Sequence, residues 1–569
     1  MSRSRPRFGS AALAVGLLVT GLVVILSATG APAAPPSDAK VITPDHGASV
    51  PLTELARSGA APAPESEAGR TERGPAITDA GHDRDGAIAT IRGGFAPAIP
   101  GATTFPGLTG TAKPPDPVGD IGPNHYVEMV NTRVGVFKRD GTLLLNVTIG
   151  SVFAGLPGVH ACEGNHGDPI VLHDQLADRW LLTQFTATTA PFFLCMAVSQ
   201  TADPTGAYHL YAFPNGALFP DYPKFGVWPG GYLGSTRDFN GTAGAFVGVG
   251  TWAFERSKML VGDPTAVAVK VLLAPGAEPW KPGDGLLPSD LDGKVLPPIP
   301  NIGYFIGTMD AGGPYGAPFD GVNVFHLRFT FTPPAAALTL VRSIPVAAFD
   351  SIFPCAPGPR DCIPQPGTTQ KIDILSYRQR PMHRAAYRRF NTHESLVTNQ
   401  SVEALPATAG VRWYELRGLS NTTAVPSVFQ QGTVVGNDGV HRWMGSIAQD
   451  RRGNMALGYS VSNATTVFPG IRYTGRLAAD PLGTMPQGEG TIATGTGSQT
   501  GSPRWGDYTS MNVDPRDDCR FWYVNEYYSV TGGTWNTRIG HFIFPPLCPI
   551  AIPGPTPIPT ATAIPTATA

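Results

Sequence analysis

The chain has 569 residues, of which 42% are hydrophobic and 15% are charged, and its formal net charge is −2. A charge this close to zero excludes the basic surface that nucleic-acid-binding proteins use, so we expect no nucleic-acid partner. The 68 Gly and 58 Pro residues, and the scarcity of helical apolar periodicity, indicate a protein built from strands and turns.

The first 33 residues have the features of a signal peptide. Three arginines precede an apolar run from Ala11 to Ala28, and Ala31 to Ala33 offers a small-residue cleavage site. We therefore predict cleavage before Ala34 and a secreted or cell-surface protein. An uncleaved anchor is the alternative, because about eighteen apolar residues approach the roughly twenty that cross a bilayer. Contact with a membrane would then involve this segment alone.

Two segments have the composition of unfolded or extended chain. Residues 34–103 are rich in Ala, Pro, Gly and Ser and poor in aromatic side chains, which predicts an N-terminal segment that is disordered or loosely packed and has no fold of its own. Residues 550–569 form a Thr/Pro/Ala tail that favours extended polyproline-like conformations. The folded domain is therefore predicted to span residues 104–549.

One pattern repeats seven times between Asp116 and Pro545. A small or acidic turn leads into a short β-rich run, and a polar turn then leads into an aromatic-rich run. The copies begin at or near Asp116, Asp168, Asp221, Pro298, His383, Trp443 and Asp507. A strand repeat of about 40 to 60 residues is typical of four-stranded sheets arranged around an axis. We predict an all-β fold, a single β-propeller of seven four-stranded blades, with six or eight blades as alternatives.

The six cysteines fit an oxidising compartment, because their number is even and none lies in a C-x-x-C metal pair. Pairing of nearest neighbours would join Cys162 with Cys195, Cys355 with Cys362, and Cys519 with Cys548. Each bond could contribute about 2 to 4 kcal/mol, although six cysteines allow fifteen connectivities. We expect the last pair to matter most, since a propeller is vulnerable where its first and last blades meet.

Four aspartates, Asp116, Asp168, Asp221 and Asp507, each occupy the first position of a repeat. Equivalent positions in a propeller are related by rotation about its axis, so these carboxylates are predicted to converge. Crowded carboxylates repel each other unless a cation bridges them, and Ca²⁺ accepts six to eight oxygen ligands. The sequence thus predicts a shared Ca²⁺ ion. The alternative is that each aspartate caps a backbone N–H at its turn.

Two segments resemble the aspartate box, S-x-D-x-G-x-T-W, of sialidase-like propellers. The first runs from Ser199 to Tyr208, and the second and fainter one runs from Ser529 to Trp535. In that family the box is a hairpin turn away from the active site, so the resemblance implies a fold and no activity. Residues 104–549 also resemble secreted bacterial propeller proteins of unassigned activity, through stretches such as GDPIVLHDQLADRWLLTQF and WGDYTSMNVDPRDDCRFWYVNEYY.

A sialidase would need three arginines, a Tyr nucleophile activated by Glu, and an acid/base Asp. Glu526 precedes Tyr527 and Tyr528, but adjacent strand residues face opposite sides, and Glu526 with Tyr528 is a spacing of ordinary strand neighbours. Five arginines come from one predicted blade, whereas a triad would draw on several. They are Arg378, Arg380, Arg384, Arg388 and Arg389.

Two functions from different classes fit this sequence. We predict a non-catalytic, monomeric propeller that binds an extracellular glycan or protein, with Trp228, Tyr232 and Trp522 as stacking platforms. The alternative is a sialidase-like, glycan-active hydrolase or lyase that uses acidic residues at the channel mouth. A pair of carboxyl groups about 5 to 9.5 Å apart in an open pocket would favour the enzyme.

Overall fold

Antiparallel sheets of four strands account for most of the chain. The computed structural model describes residues 39–58, 85–90, 99–242, 244–351, 361–374, 380–422, 424–546 and 548. The predicted signal peptide and the predicted Thr/Pro/Ala tail lie outside these ranges.

The elements before the first sheet are short. They are β1 (Lys40–Ile42), β2 (Asp45–Ala48), α1 (Leu52–Ser58), β3 (Ile88–Thr90) and β4 (Thr103–Gly110). The first group of four strands contains β5 (Val118–Ile121), β6 (His125–Val130), β7 (Arg133–Lys138) and β8 (Leu143–Thr148). After α2 (Ile149–Val152) and a 3₁₀ turn (His160–Glu163), the second group contains β9 (Ile170–Asp174), β10 (Arg179–Phe185), β11 (Phe192–Ser199) and β12 (Tyr208–Gly216).

The next two groups follow the same order along the chain. The third contains β13 (Leu218–Trp228), β14 (Gly231–Asn240), β15 (Phe246–Phe254) and, after α3 (Arg256–Met259), β16 (Ala268–Leu273). The fourth contains β17 (Leu287–Asp292), β18 (Ile302–Met309), β19 (Gly321–Phe331) and β20 (Pro334–Pro345). A small hairpin then precedes the fifth group, and its strands are β21 (Asp361–Ile363) and β22 (Ile372–Asp373).

The remaining strands complete the set. The fifth group contains β23 (Met382–Arg389), β24 (Glu394–Leu405), β25 (Thr408–Arg417) and β26 (Ser427–Val435). The sixth contains β27 (His441–Gln449), β28 (Met455–Ser462), β29 (Phe468–Arg476) and β30 (Glu489–Gly495). The seventh combines β31 (Ser510–Val513), β32 (Phe521–Tyr527) and β33 (Trp535–Phe542) with β4.

Within each group the strands pair in order, and the first strands of successive groups contact one another. These contacts form one cycle, from β5 through β9, β13, β17, β23, β27 and β31 back to β5. Parallel pairing of β17 with β23 joins the fourth and fifth groups into one larger sheet. Four-stranded antiparallel sheets with adjacent innermost strands define a β-propeller, which confirms the predicted fold class. The blade count of seven stays a prediction, and the seven groups agree with it.

Strand β4 closes the propeller. It comes from the N-terminal side of the domain and pairs with β33, so that Phe105 lies opposite Ile539. Glu128 of β6 reinforces this join, because its carboxyl group accepts the backbone N–H of Leu108 at 3.0 Å and the hydroxyl of Thr537 at 2.5 Å. The predicted Cys519–Cys548 disulfide is present, but it joins two positions that flank β32 and β33. Ring closure therefore depends on β4, and no pattern in the sequence around β4 indicates that it pairs with β33.

The three N-terminal strands add to the outer edges of blades. Strand β1 pairs with β16, and β2 pairs with β12, both antiparallel, while β3 pairs in parallel with β26. The prediction that residues 34–103 carry no fold is therefore wrong at these segments. Composition misses them because an exposed sheet edge offers unpaired N–H and C=O groups to any extended segment, whatever its side chains.

The two segments that resemble an aspartate box lie at different ends of the strands. The Ser199–Tyr208 segment is the hairpin from β11 to β12, in which Asp203 accepts the backbone N–H of Thr205 at 2.9 Å. The second segment joins β32 to β33, which places it at the opposite end of a blade, where the first strands begin. Only the first segment therefore matches the expected place in a sialidase-like propeller.

The described residues confirm two of the three predicted disulfides, Cys162–Cys195 and Cys519–Cys548. The third pairing stays a prediction, because Cys355 lies outside the described residues. Where the chain is described, no helix is both long and apolar enough to cross a bilayer.

Candidate active site

A left-handed backbone conformation recurs where the innermost strands begin. Asp116 and Asp168 have φ of 48° and 46°, and Tyr222 and Met444 have φ of 49° and 47°. Aspartate tolerates this conformation, but it costs free energy for tyrosine and methionine. Such strain persists only where the surroundings enforce it, and it is concentrated at functional sites.

Three of the four predicted aspartates converge. The backbone N–H of Asp507 donates to Oδ1 of Asp116 at 2.6 Å, and Asn131 donates to Oδ2 of the same carboxyl group at 2.9 Å. Asn131 also accepts the backbone N–H of Asp168 at 2.8 Å. All three aspartates are buried. Residues of the first, second and seventh groups thus meet at one end of the axis.

Burial controls the ionisation of this cluster. Removal from water raises the pKa of Asp116 well above its ordinary value, and the nearby carboxylates of Asp507 and Asp168 raise it further. Hydrogen bonds from Asp507 and the charge of Arg504 oppose the rise without cancelling it. Burial and the neighbouring carboxylates therefore favour the protonated form of Asp116, which lowers the repulsion among the three side chains.

A lysine from the third group faces the same carboxyl groups. The ammonium of Lys224 lies 3.5 Å from the ring centroid of Tyr222 and 3.8 Å from that of Tyr508. Burial lowers the pKa of Lys224 to about 7, although Asp168, Asp116 and Asp507 favour its charged form. The cluster thus contains a positive group of its own, stabilised by two aromatic rings.

The fourth predicted aspartate, Asp221, pairs with an arginine of the third group. Its Oδ2 accepts a hydrogen bond of 2.9 Å from Arg237, which also donates to Asp284 at 2.8 Å. Arg380 donates from Nε to Asp284 at 3.0 Å and lies 4.0 Å from the ring centroid of Tyr222. The convergence of Asp221 with the other three aspartates therefore stays a prediction, and an arginine on the neighbouring strand holds its side chain.

The predicted calcium ion remains a prediction. Across the described residues, no group of three or more His, Cys, Asp or Glu side chains has the geometry to hold a metal ion. The oxygens of Asp116 are occupied by N–H donors, and Arg504 lies 3.1 and 3.2 Å from the two oxygens of Asp507. Protein cations and N–H groups thus compensate the carboxylates that the sequence assigns to Ca²⁺.

Glu526, which sequence analysis considered and set aside, contributes a further acid. Its Oε1 accepts the backbone N–H of Gly506, and a Cβ at that glycine would lie 2.9 Å from the same oxygen. Its Oε2 is buried and has no hydrogen-bond partner in the described part of the chain. Burial, followed by the charge of Asp507, raises the pKa of Glu526 well above its ordinary value. These surroundings therefore favour the protonated form of Glu526.

His383 is a second group that the sequence did not single out. Its ring centroid lies 6.3 Å from that of Tyr508, and its Nε2 has no partner among the side chains and backbone described. Burial and the nearby Lys224 and Arg384 lower the pKa of His383 well below 6.5. The ring is therefore neutral near pH 7. The sequence contains no motif that links His383 to the other residues of the site.

The predicted stacking platforms are buried. Trp228 packs edge-on against Tyr304 and Tyr387, at centroid distances of 5.3 and 4.9 Å. Tyr232 donates its hydroxyl hydrogen to Asp174 at 2.9 Å, and Trp522 stacks on Tyr126. Their exposed fractions are 0%, 0% and 1%. These rings fill the space between blades, so none of them offers a face to a glycan.

Three of the arginines considered for a carboxylate clamp, Arg384, Arg388 and Arg389, lie on β23, and Arg380 precedes this strand. Arg384 binds Asp290 and Asp292 of β17, and Arg388 binds Asp518 at 2.8 and 2.6 Å. Successive arginines on one strand therefore reach acids at different heights along the axis. Arg378 lies outside the described residues.

Comparisons with known proteins concern the fold. No protein-family model and no curated protein sequence matches this chain. An α-L-arabinanase of Penicillium chrysogenum complexed with arabinobiose is 9% identical, with a TM-score of 0.33 over 78% of this chain and 98% of its own. An α-L-arabinofuranosidase of Fusarium graminearum is 8% identical, with a TM-score of 0.31 over 81% of this chain and 98% of its own. A subtype N10 neuraminidase-like protein of A/little yellow-shouldered bat/Guatemala/060/2010 is 11% identical, with a TM-score of 0.30 over 68% of this chain and 96% of its own.

The prediction of a non-catalytic binding module is wrong. The aromatic side chains on which it rested are buried, and the axis holds acids with strongly shifted pKa values instead. Buried groups with shifted pKa values are concentrated at catalytic sites.

Proposed function

We propose that this protein is a glycan-active hydrolase whose reacting groups lie at the end of the axis where the innermost strands begin. The observation that carries the proposal is that Glu526, a buried acid with a raised pKa and an Oε2 without a partner among the described residues, lies near the carboxylate of Asp507. Glycoside hydrolysis requires one carboxylic acid that donates a proton and one carboxylate that assists the nucleophile. A buried acid with a raised pKa is suited to the first of these roles.

Glu526 is suited to the role of general acid. Its Oε1 is held by the N–H of Gly506, which leaves Oε2 without a partner in the described residues. In hydrolysis the carboxylic acid form of Glu526 passes its proton to the glycosidic oxygen as the bond from that oxygen to the anomeric carbon breaks. The sugar leaving group then departs as a neutral alcohol.

Asp507 is suited to the role of general base. Arg504 forms an ion pair with both of its oxygens, at 3.1 and 3.2 Å. The carboxylate takes a proton from a water molecule, whose oxygen forms the new bond to the anomeric carbon. The proton gained by Asp507 and the proton lost by Glu526 balance, and water then restores both groups.

Asp116, Asp168 and Lys224 set the electrostatics around these two residues. Asp116 accepts the Asp507 N–H and thereby fixes the position of that backbone. Lys224 provides positive charge opposite the carboxylates. Charges held in place before the reaction lower the cost of developing charge in the transition state.

The place of action that fits this proposal is outside the cell, on an extracellular glycan. Two disulfides support it, since such bonds persist in oxidising compartments. The sequence-based signal peptide and the monomeric state remain predictions.

Incubation of the purified protein with a glycan panel tests the proposal. The panel contains arabinan, xylan, galactan and sialylated oligosaccharides, and products are separated by chromatography with mass detection. We expect new reducing ends on at least one substrate, and loss of that activity in Asp507→Asn. An unsaturated product would indicate a lyase. If no substrate is cleaved, or if Asp507→Asn cleaves as fast as the wild type, the proposed function is wrong.

A further inference from the structure

A buried lysine contacts an asparagine and an aspartate where the second and third groups of strands meet. Nζ of Lys270, on β16, donates a hydrogen bond of 2.5 Å to Oδ1 of Asn215, which lies near the end of β12. Nζ also donates to Oδ2 of Asp238, on β14. Oδ1 of Asp238 accepts a hydrogen bond of 3.1 Å from Nδ2 of Asn215. The carboxyl group of Asp238 therefore contacts both the amine and the amide.

The surroundings hold these three side chains in place. Lys270 is 5% exposed and Asp238 is 0% exposed. Nζ of Lys270 lies 4.7 Å from the ring centroid of the buried Trp252. Thr236 accepts the indole N–H of Trp252 at 3.1 Å and donates its own hydroxyl hydrogen to Asp238 at 2.9 Å. A Cβ at Gly250 would lie 2.7 Å from Cε of Lys270, so the glycine leaves room for the lysine side chain.

Burial prepares the amine of Lys270 to act as a nucleophile. Removal from water lowers the pKa of Lys270, and the nearby Asp238 offsets the shift only in part. A neutral lysine amine is a nucleophile, and burial is one way in which proteins activate it. Because a C=O bond is about 1.2 Å long, Nζ lies within about 3.7 Å of Cγ of Asn215. This separation is close to that from which two held groups react.

We propose that Lys270 and Asn215 form an intramolecular isopeptide bond, with Asp238 as the acid–base residue. The ammonium of Lys270 passes a proton to Oδ2 of Asp238, and the resulting amine attacks Cγ of Asn215. As the bond from Nζ to Cγ forms, the bond from Cγ to Nδ2 breaks. Asp238 moves the protons of Nζ to Nδ2, because its two oxygens contact both nitrogens. The products are a secondary amide and an ammonium ion, and Asp238 returns to its original form.

This bond joins two blades at their outer strands. Asn215 belongs to β12 and Lys270 to β16, and the two residues are 55 positions apart in the sequence. Each of these strands also pairs with an N-terminal edge strand. A covalent link restricts the unfolded chain as a disulfide does, and reductants do not break an amide. The inference does not depend on the proposed hydrolase, because no substrate takes part in the reaction.

Peptide mapping of the purified wild-type protein tests the bond directly. After reduction, alkylation and trypsin digestion, we expect a branched peptide in which residues 180–224 are joined to residues 259–294. Its mass should be lower than that of the two linear peptides together by one ammonia molecule. Fragmentation should place the branch at Asn215 and Lys270, since trypsin does not cleave after an acylated lysine. Linear peptides that end at Lys270, without the branched peptide, would overturn the inference.

Lys270→Arg should abolish the branched peptide. The guanidinium keeps the positive charge but does not lose its proton, so it cannot attack the amide. Asn215→Ala should abolish the peptide as well, because it removes the carbon that is attacked. Lys258→Arg is the matched control, since Lys258 forms an ion pair with Glu255 on the same blade. We expect Lys258→Arg to keep both the branched peptide and the wild-type Tm, and the other two variants to have a lower Tm.

A competing reaction of Asn215 can be distinguished by the same measurement. Asn215 precedes Gly216, and an asparagine in this position can also lose ammonia by closing a ring with its own backbone. Such a product is a linear peptide, and it would form equally in Lys270→Arg. Loss of ammonia that persists in Lys270→Arg, with no branched peptide in the wild type, would show that Lys270 does not react.

Discussion

The backbone N–H of Asp507 donates a hydrogen bond of 2.6 Å to Oδ1 of Asp116, although the two residues are 391 positions apart in the sequence. The bond joins the last group of strands to the first at the end of the axis where the acids meet. The same closure of the ring that stabilises the fold therefore assembles the candidate site. Changes to the closure and changes to the acids can be separated by the following experiments.

Glu526→Gln should abolish catalysis and leave the fold intact. The amide has the shape of the protonated acid but cannot supply a proton, so we expect kcat to fall about 10²- to 10⁴-fold. Glu128→Gln is the matched control, because burial raises the pKa of Glu128 to about 7 and it lies at the join with β4. Activity assays at pH 7 should show wild-type kcat for Glu128→Gln. Retained activity in Glu526→Gln would assign the acid to another residue.

Asp120 should make stability depend on pH. Burial raises the pKa of this carboxyl from 3.8 to about 7. A group with a raised folded-state pKa contributes stability that is complete below about pH 4 and is lost as pH rises through about 7. We expect Asp120→Asn to reduce the fall in Tm between these values, as followed by circular dichroism. Asp140→Asn is the control, because Asp140 is exposed and its pKa is lowered. An unchanged pH slope in Asp120→Asn would contradict the assignment.

Strand β4 should be essential to folding, unlike the three strands before it. A protein that begins at residue 99 loses β1, β2 and β3, whereas one that begins at residue 112 also loses the strand that pairs with β33. We expect a cooperative melting transition from the longer protein and none from the shorter one. The unpaired N–H and C=O groups of β33 and the lost bond from Leu108 to Glu128 are the physical reason. Equal transitions would show that closure does not depend on β4.

The two described disulfides should stabilise the protein by similar amounts. Their sequence separations are 33 for Cys162–Cys195 and 29 for Cys519–Cys548, so each restricts the unfolded chain to about the same extent. We expect Cys162→Ser/Cys195→Ser and Cys519→Ser/Cys548→Ser each to lower the free energy of unfolding by about 2 to 4 kcal/mol. Urea titration measures both. A much larger effect of the second pair would restore the prediction that it ties the closing blade.

Removal of divalent metal tests the predicted calcium ion. A Ca²⁺ ion bound only to the folded state would raise Tm, so EDTA would lower it and added Ca²⁺ would restore it. Because Lys224 and Arg504 already face these carboxylates, we expect EDTA to leave Tm unchanged. A calcium-dependent Tm that Asp168→Asn weakens and Asp178→Asn does not would show that the ion is bound.

The fold class could be predicted because its signals are local. Each blade repeats a turn and a few short strands, and the hairpin from Ser199 to Tyr208 contains its own capping aspartate. Cys162 and Cys195 could be paired because a short loop brings them together. The edge strands β1, β2 and β3 could not be predicted, since an edge accepts an extended segment through backbone groups that every residue carries.

By itself, the sequence determined a strand repeat and placed Asp116, Asp168 and Asp507 at the start of repeats, which rotation about the axis then brought together. Only the tertiary structure determined which cationic side chains and N–H groups balance the negative charge of these carboxylates. Lys224, which faces these carboxylates, comes from the third group, and Arg237 forms an ion pair with Asp221. Such pairs depend on distances between strands in the folded protein, which the sequence does not give. Tertiary packing likewise buried Trp228 and left Oε2 of Glu526 without a partner among the described residues, since burial is a property of the assembled blades and no local pattern records it.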